Sequence, residues 1–218
     1  MRNDFTFYLN LIRGLAADEA GKRFPDAMLR SALRQALNDY QRAFPRLRTV
    51  PARAAFVDEF SLRINVPVPE DEIIVGLRLP NPESEIILLE GDTVHRENGH
   101  LLLRLAPELH RRVRRIGASK IDLVLSAPQT VAGLDENMTE TTVPSRHAST
   151  LAKGAAAAAL RIRAAAVTEG HGKRVEEITA LSSAAKTLFS EFRGELAELG
   201  MTETGCISAL PNGPSFPI

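Results

Sequence analysis

The sequence predicts an α+β protein that is mainly α-helical: a helical bundle with an inserted β-rich lobe and an extended C-terminal tail. Near both ends of the chain, apolar residues recur every three or four positions, which is typical of amphipathic helices. In the middle they alternate with polar residues, which is typical of half-buried strands. The predicted ranges are 1–52 and 144–200 for the bundle, 53–128 for the lobe, 129–143 for a linker and 201–218 for the tail.

Two helices are predicted before the lobe. The first covers the dense apolar pattern from Phe5 to Ala16, and a polar loop with a glycine follows it. Pro25 and Asp26 favour the start of the second, because proline suits a first turn and an acid there stabilises the helix dipole. Pro45 ends this helix. Its apolar stripe is Leu29, Leu33, Ala36, Leu37, Tyr40 and Phe44.

In the lobe, apolar residues follow a period of two from Ala54 onward. The first two strands are marked by Leu62, Ile64, Val66 and Val68 and by Ile73, Val75, Leu77 and Leu79. Pro67, Pro69 and Pro80 cannot donate ladder hydrogen bonds, so these strands lie at edges or end there. The remaining predicted elements are a strand at 85–89, a hairpin at 94–105 closed by Asn98 and Gly99, a short helix at 109–116 and a strand at 121–125.

Two long helices are predicted after a Thr-rich polar stretch, at 145–169 and 175–199, joined by glycines and ended by Gly200. Such a pair forms an antiparallel hairpin. The N-terminal helices cannot bury their stripes alone, so we expect them to pack against this hairpin as one bundle. The expected core residues of this bundle are Leu33, Leu37, Ile162, Leu181, Leu188 and Phe192.

The composition narrows the class of protein. Lys and Arg number 27, as do Asp and Glu, and this zero net charge argues against nucleic-acid binding as the main role. Cys206 is the only cysteine, which excludes an internal disulfide and fits a reducing, cytoplasmic folding environment. No apolar run approaches the roughly 20 residues that span a bilayer, and the N-terminus does not match a secretory signal.

No catalytic residue, metal site or cofactor is predicted. The sequence contains no P-loop, dinucleotide fingerprint, GxSxG or HExxH. His95 and His100 flank the hairpin turn, but two imidazoles without a third ligand make a poor metal site. The acids near the strands are better explained by edge protection or ion pairing than by acid–base catalysis. These acids are Glu70, Asp71, Glu72, Glu83 and Glu85.

The most concentrated positive charge lies in the predicted helix at 109–116. Its basic residues are Arg111, Arg112, Arg114 and Arg115. They are expected to contact a neighbouring subunit or to form a solvated face. The alternative is contact with DNA phosphates, although no aromatic residues interleave for base stacking.

The order of elements resembles the phage head-to-tail adaptor family. The resemblance covers the segment from Leu9 through Gly21 and Asp26 to Tyr40, the strand at 121–125 with the Thr-rich stretch after it, and the two long C-terminal helices. The basic helix and the length of the tail depart from the family pattern. The resemblance implies a ring, twelve-fold, docked under the portal protein, with a stopper or tail-completion protein on its far face. Genomic DNA would pass through the lumen without sequence-specific binding.

The sequence therefore favours a non-enzymatic virion protein at the head–tail junction, made in the host cytoplasm. The tail is expected to dock on the portal protein, because apolar residues in an extended segment can fill grooves on a partner. These residues are Ile207, Leu210, Phe216 and Ile218. The competing hypothesis is a DNA-binding or packaging accessory protein that uses the helix at 109–116, and an enzyme is the third.

Overall fold

In the computed structural model the chain divides into two compact units, residues 1–44 with 129–218 and residues 45–128. We call them the helical unit and the sheet unit. The structure describes residues 3–18, 20–58, 61–66, 68–69, 72–79, 86–89, 94–97, 100–115, 120–169 and 175–203.

The helical unit contains four long helices within the described ranges. They are α1 (Phe5–Leu15), α2 (Asp26–Ala43), α4 (Ala148–Glu169) and α5 (Val175–Glu203), with a 3-10 turn at Ser145–His147 before α4. The side chain of Asp4 caps α1 by accepting a 2.9 Å hydrogen bond from the backbone N–H of Phe7. Pro25 caps α2, and the predicted stripe is buried as far as Tyr40, with Phe44 half-buried.

Asp18 organises the loop between α1 and α2. Its carboxylate accepts backbone hydrogen bonds from Lys22, Arg23 and Phe24 at 2.9–3.1 Å. Burial alone would raise the pKa of Asp18, but these three N–H donors and the nearby Arg13 outweigh it, so the pKa is lowered. The carboxylate thus stays ionised and holds Phe24, which is 1% exposed, against the core.

The helical core is built around α4, whose inward residues are mostly alanine. Small side chains allow α1, α2 and α5 all to pack against this one helix. Of the expected core residues, Leu33, Leu37 and Phe192 are buried, whereas Ile162, Leu181 and Leu188 are only half-buried. Val131, Leu134 and Val143, from the polar stretch before α4, also join this core.

The sheet unit is a seven-stranded antiparallel sheet of order β4-β3-β7-β1-β2-β6-β5. Its strands are β1 (Arg46–Phe56), β2 (Ser61–Asn65), β3 (Ile73–Arg78), β4 (Ile86–Leu88), β5 (Val94–Glu97), β6 (His100–Arg104) and β7 (Lys120–Ala127). Helix α3 (Pro107–Arg115) covers one face, because Val113 is fully buried among the core leucines of β2, β6 and β7. This core shares no residue with the core of the helical unit.

The predicted fold class is therefore wrong. Residues 45–128 are not a lobe on a helical bundle: they form a full sheet with its own helix and core. The sheet's central strand, β1, begins at Arg46, eight residues before the predicted change of period at Ala54. The inward residues of β1 are small, namely Val50, Ala52 and Ala54. The alternation of apolar and polar residues that predicts a strand is therefore weak in β1, beside its exposed arginines.

Two further expectations are corrected locally. The register of β3 against β7 shifts between Ile74 and Gly76, and this bulge turns Ile73 outward to 68% exposure although the alternation predicts it to be half-buried. Helix α5 continues through Gly200 to Glu203, so the predicted extended tail does not begin at 201. The rest of that tail lies outside the described residues.

Candidate interaction surfaces

A concave surface of the helical unit is a groove between α2, α4 and α5, which we call the helical groove. Its larger part has a volume of ≈ 560 Å³ and its smaller part ≈ 300 Å³. The two parts adjoin, because Asp39, Arg42 and Phe189 line both. Gly154 and Ala158 of α4 line the larger part and leave it open because they are small.

Phe189 is the aromatic centre of the helical groove. The guanidinium of Arg161 lies 4.7 Å from the centroid of its ring, and that of Arg193 lies at 6.0 Å. Such contacts hold the cations over the ring without neutralising them. The groove therefore combines an apolar floor with walls on which Arg42, Arg161 and Arg193 outnumber the acidic Asp39, which suits an amphipathic segment that also carries acidic groups.

A polar cluster fixes α4 to α5 beside this groove. Lys153 contacts Glu191 at 3.0 Å and also pairs with Glu195, which accepts a 2.7 Å hydrogen bond from the Thr150 hydroxyl. Burial would raise the pKa of Glu195, but the bonds from Lys153 and Thr150 lower it overall. The bonds that Lys153 donates to Glu195 and Glu191 raise the pKa of Lys153. The cluster is structural, since each of its three ionised side chains has a partner of opposite charge.

Another buried polar contact joins α2 to the turn before α4. The hydroxyl of Tyr40 lies 2.6 Å from Nδ1 of His147, and both residues are at most 1% exposed. Arg146 donates to the other ring nitrogen at 3.2 Å, and Phe44 stacks on Tyr40. With both nitrogens in use, His147 serves packing rather than chemistry.

The sheet unit carries three exposed arginines on the face opposite its core: Arg53 of β1, Arg63 of β2 and Arg104 of β6. We call them the arginine diagonal. Sequence reasoning missed this surface and the helical groove. Alternation predicts that Arg63 is exposed, because it stands between the buried Leu62 and Ile64, but the alignment of the three arginines depends on which strands pair. The groove could not be predicted from the sequence either, because it depends on which helices are neighbours.

The structure describes some of the residues that the sequence predicted as sites and not others. Arg111, Arg112, Arg114 and Arg115 all lie exposed on α3. The apolar tail residues Ile207, Leu210, Phe216 and Ile218 lie outside the described residues. Of the acids near the strands, Glu72 pairs with Arg48 at 2.8 Å. The other four lie outside the described residues: Glu70, Asp71, Glu83 and Glu85.

His95 is exposed on β5, where it pairs in register with Leu102, and the side chain of His100 is not described. Among the residues that the structure does describe, no three His, Cys, Asp or Glu side chains form a group that could hold a metal ion. Nor is any helix in that part of the chain long and apolar enough to cross a membrane.

Comparison with known proteins gives no family for this chain. No protein-family model matches the sequence, and no curated protein is significantly similar to it.

Proposed function

We propose that this protein is a virion structural subunit, a phage head-to-tail adaptor that assembles with copies of itself into a ring joining the portal to the tail or stopper. The subunit acts by presenting surfaces that are complementary to those of its partners, and it performs no chemical step. The portal protein and a stopper or tail-completion protein are its proposed partners, and genomic DNA passes through the ring.

The observation that carries this proposal is the incomplete burial of α5. This helix has 29 residues, yet between 175 and 200 only Ala185 and Phe192 are buried. A surface helix normally buries a stripe at least 100° wide. Here the residues along that stripe are only half-buried, namely Ile178, Leu181, Leu188, Leu196 and Leu199.

The helical groove, which α5 lines, gives the incompletely buried helix a surface on which a neighbouring copy can pack. A head-to-tail contact between copies uses two different surfaces and closes into a ring when the rotation allows it. A net charge of zero removes the long-range repulsion that would oppose such packing. We therefore propose that a neighbouring copy occupies the groove around Phe189.

Native mass spectrometry with and without purified portal protein tests the assembly. The wild type should form a closed ring, at least on the portal, and Phe189→Glu should lower ring occupancy at least tenfold. Thr187→Glu adds the same charge at an exposed position of α5 and should leave the ring intact. A wild type that stays monomeric with the portal protein present contradicts the proposal.

Deleting residues 204–218 tests whether the apolar tail residues dock on the portal. The truncated protein should keep its helical content and lose attachment to portal-bearing heads. Unchanged attachment would assign docking to another surface.

The alternative function, a DNA-binding or packaging accessory protein, is favoured by one observation: all four arginines of α3 are exposed. On that hypothesis, duplex DNA binds tightly at physiological salt without portal protein, and neutralising Arg111, Arg112, Arg114 and Arg115 abolishes binding.

A further inference from the structure

We infer that the arginine diagonal is a non-sequence-specific contact surface for the phosphate backbone of nucleic acid. This inference goes beyond the proposed function and needs no ring. It rests on the register of three adjacent strands, on the exposure of the arginines and on the character of the face around them.

The strand register places the three arginines in a straight line. Arg53 of β1 lies opposite Asn65 of β2. Arg63 lies two residues before Asn65 on β2 and opposite Leu102 of β6. Arg104 lies two residues after Leu102 on β6, so the second step runs in the same direction as the first. Each step is thus the diagonal neighbour relation of an antiparallel sheet, with about 7–8 Å between backbones. Evenly spaced cations in a line match a polymer whose anionic groups repeat evenly.

The side chains of the diagonal are free to meet such a polymer. All three are exposed, and none has a side-chain hydrogen bond or ion pair within the described part of the chain. On β7, the residue opposite Arg53 in register is Lys120, which is also basic. Asp122 lies opposite Pro51 of β1 and Arg78 of β3, so one acid stands a diagonal step from Arg53, and the three arginines of the diagonal outnumber it. The line therefore keeps its positive charge.

The surrounding face offers little to a protein partner. The neighbours of the diagonal are Ala55, Asn65 and the half-buried Leu102, and the described residues on this face of β1, β2 and β6 include no Phe or Tyr. Protein interfaces depend on buried aromatic or aliphatic anchors at their centre. A basic face with one half-buried leucine beside the arginines and no Phe or Tyr among its described residues favours phosphates, and it provides no aromatic platform for reading bases.

The arginines of α3 fit a phosphate row less well. Successive helical residues turn by about 100°, so positions 111, 112, 114 and 115 spread over about 160° of the helix surface. One strand of phosphates cannot meet all four at once. On the sheet, alternate residues point the same way, so all three guanidinium groups of the diagonal project from one face.

The test measures binding of the full-length protein to short duplex DNA of two unrelated sequences over a range of salt. Log Kd depends linearly on log salt, with a slope of about 0.9 per neutralised phosphate. The triple variant Arg53→Gln, Arg63→Gln, Arg104→Gln should reduce this slope by about 2.7. Equivalently, from about 50 to about 200 mM salt the wild type should lose about 40-fold more affinity than the variant.

The matched control is Arg111→Gln, Arg112→Gln, Arg114→Gln, which removes the same charge from α3. It should leave the slope within about one unit of the wild type. Thermal melting checks that both variants fold, and the two DNA sequences should bind equally.

Several results would overturn the inference: no binding by the wild type at low salt, equal losses in both triple variants, or loss only in the α3 variant. Binding to an acidic polypeptide but not to duplex would assign the surface to a protein partner instead. Because no portal protein is present, these outcomes are independent of the ring test.

Discussion

The contact between Gly154 and Phe192 allows a sharp test of helix packing. A Cβ at Gly154 would lie 3.0 Å from each of three atoms of the Phe192 ring, closer than real Cβ atoms normally approach. The ring is 1% exposed. Gly154→Ala gains about 0.8–1 kcal/mol of helix propensity. Overpacking of this kind costs about 1–3 kcal/mol, so we expect a net loss of up to about 2 kcal/mol.

The matched control is Gly194→Ala in the exposed part of α5, where nothing lies within 4 Å of the added Cβ. Its stability should rise by about 0.8–1 kcal/mol. Since both changes carry the same propensity gain, their difference isolates the steric cost. Urea unfolding followed by circular dichroism measures the free energy of unfolding of both variants. The double variant Gly154→Ala, Phe192→Leu should be about 1 kcal/mol more stable than the sum of the two single effects predicts, because the smaller side chain relieves the contact. Equal stabilisation by both alanines would refute the packing.

Two further substitutions probe buried polar contacts. Asp18→Asn should cost about 1–3 kcal/mol at neutral pH, because an amide accepts the three N–H groups less well than a carboxylate. Folding lowers the pKa of Asp18, so the greater stability of the wild type over the variant is complete above the ordinary pKa of 3.8 and should vanish as the pH falls through the folded pKa. Urea unfolding at several pH values measures this difference in stability, and a difference that does not change with pH would contradict the prediction. Tyr40→Phe should cost about 1–2 kcal/mol in the same assay by removing the bond to His147, and a neutral effect would show that bond to be dispensable.

The helices were predictable because their signals are local. Asp4, Pro25 and the apolar stripe of α2 define where chain segments become helical, and the structure agrees within a residue or two. The hairpin of β5 and β6 was also predictable, since it depends on two alternating runs close together in sequence. In each case the residues that determine the element lie within it or directly before it.

The sheet was underestimated because its centre is held by distant partners. β1 pairs with β7, whose residues lie far later in the chain (Arg53 pairs with Lys120 and Arg46 with Ala127), and with β2 at its other end. Pro51 and the alternating arginines of β1 resemble a polar loop when read alone. Pro51 fits because it lies where β1 pairs with β7 and outside the stretch that pairs with β2. The pairing that makes it a strand cannot be seen in a local window.

The same limit explains why α5 was expected to be more buried than it is, and it leads to a last prediction. Leu188 lies on the correct face, but in the single chain it is only half-buried. Leu188→Ala should therefore cost less than about 2 kcal/mol in monomer unfolding, whereas Leu33→Ala, at a fully buried site, should cost about 2–5 kcal/mol. If a neighbouring copy covers α5, Leu188→Ala should weaken subunit association as well, and Leu33→Ala should act through folding alone. Subunit dissociation measured by sedimentation separates the two effects, and a Leu188→Ala variant that associates as tightly as the wild type would show that no copy packs on this helix.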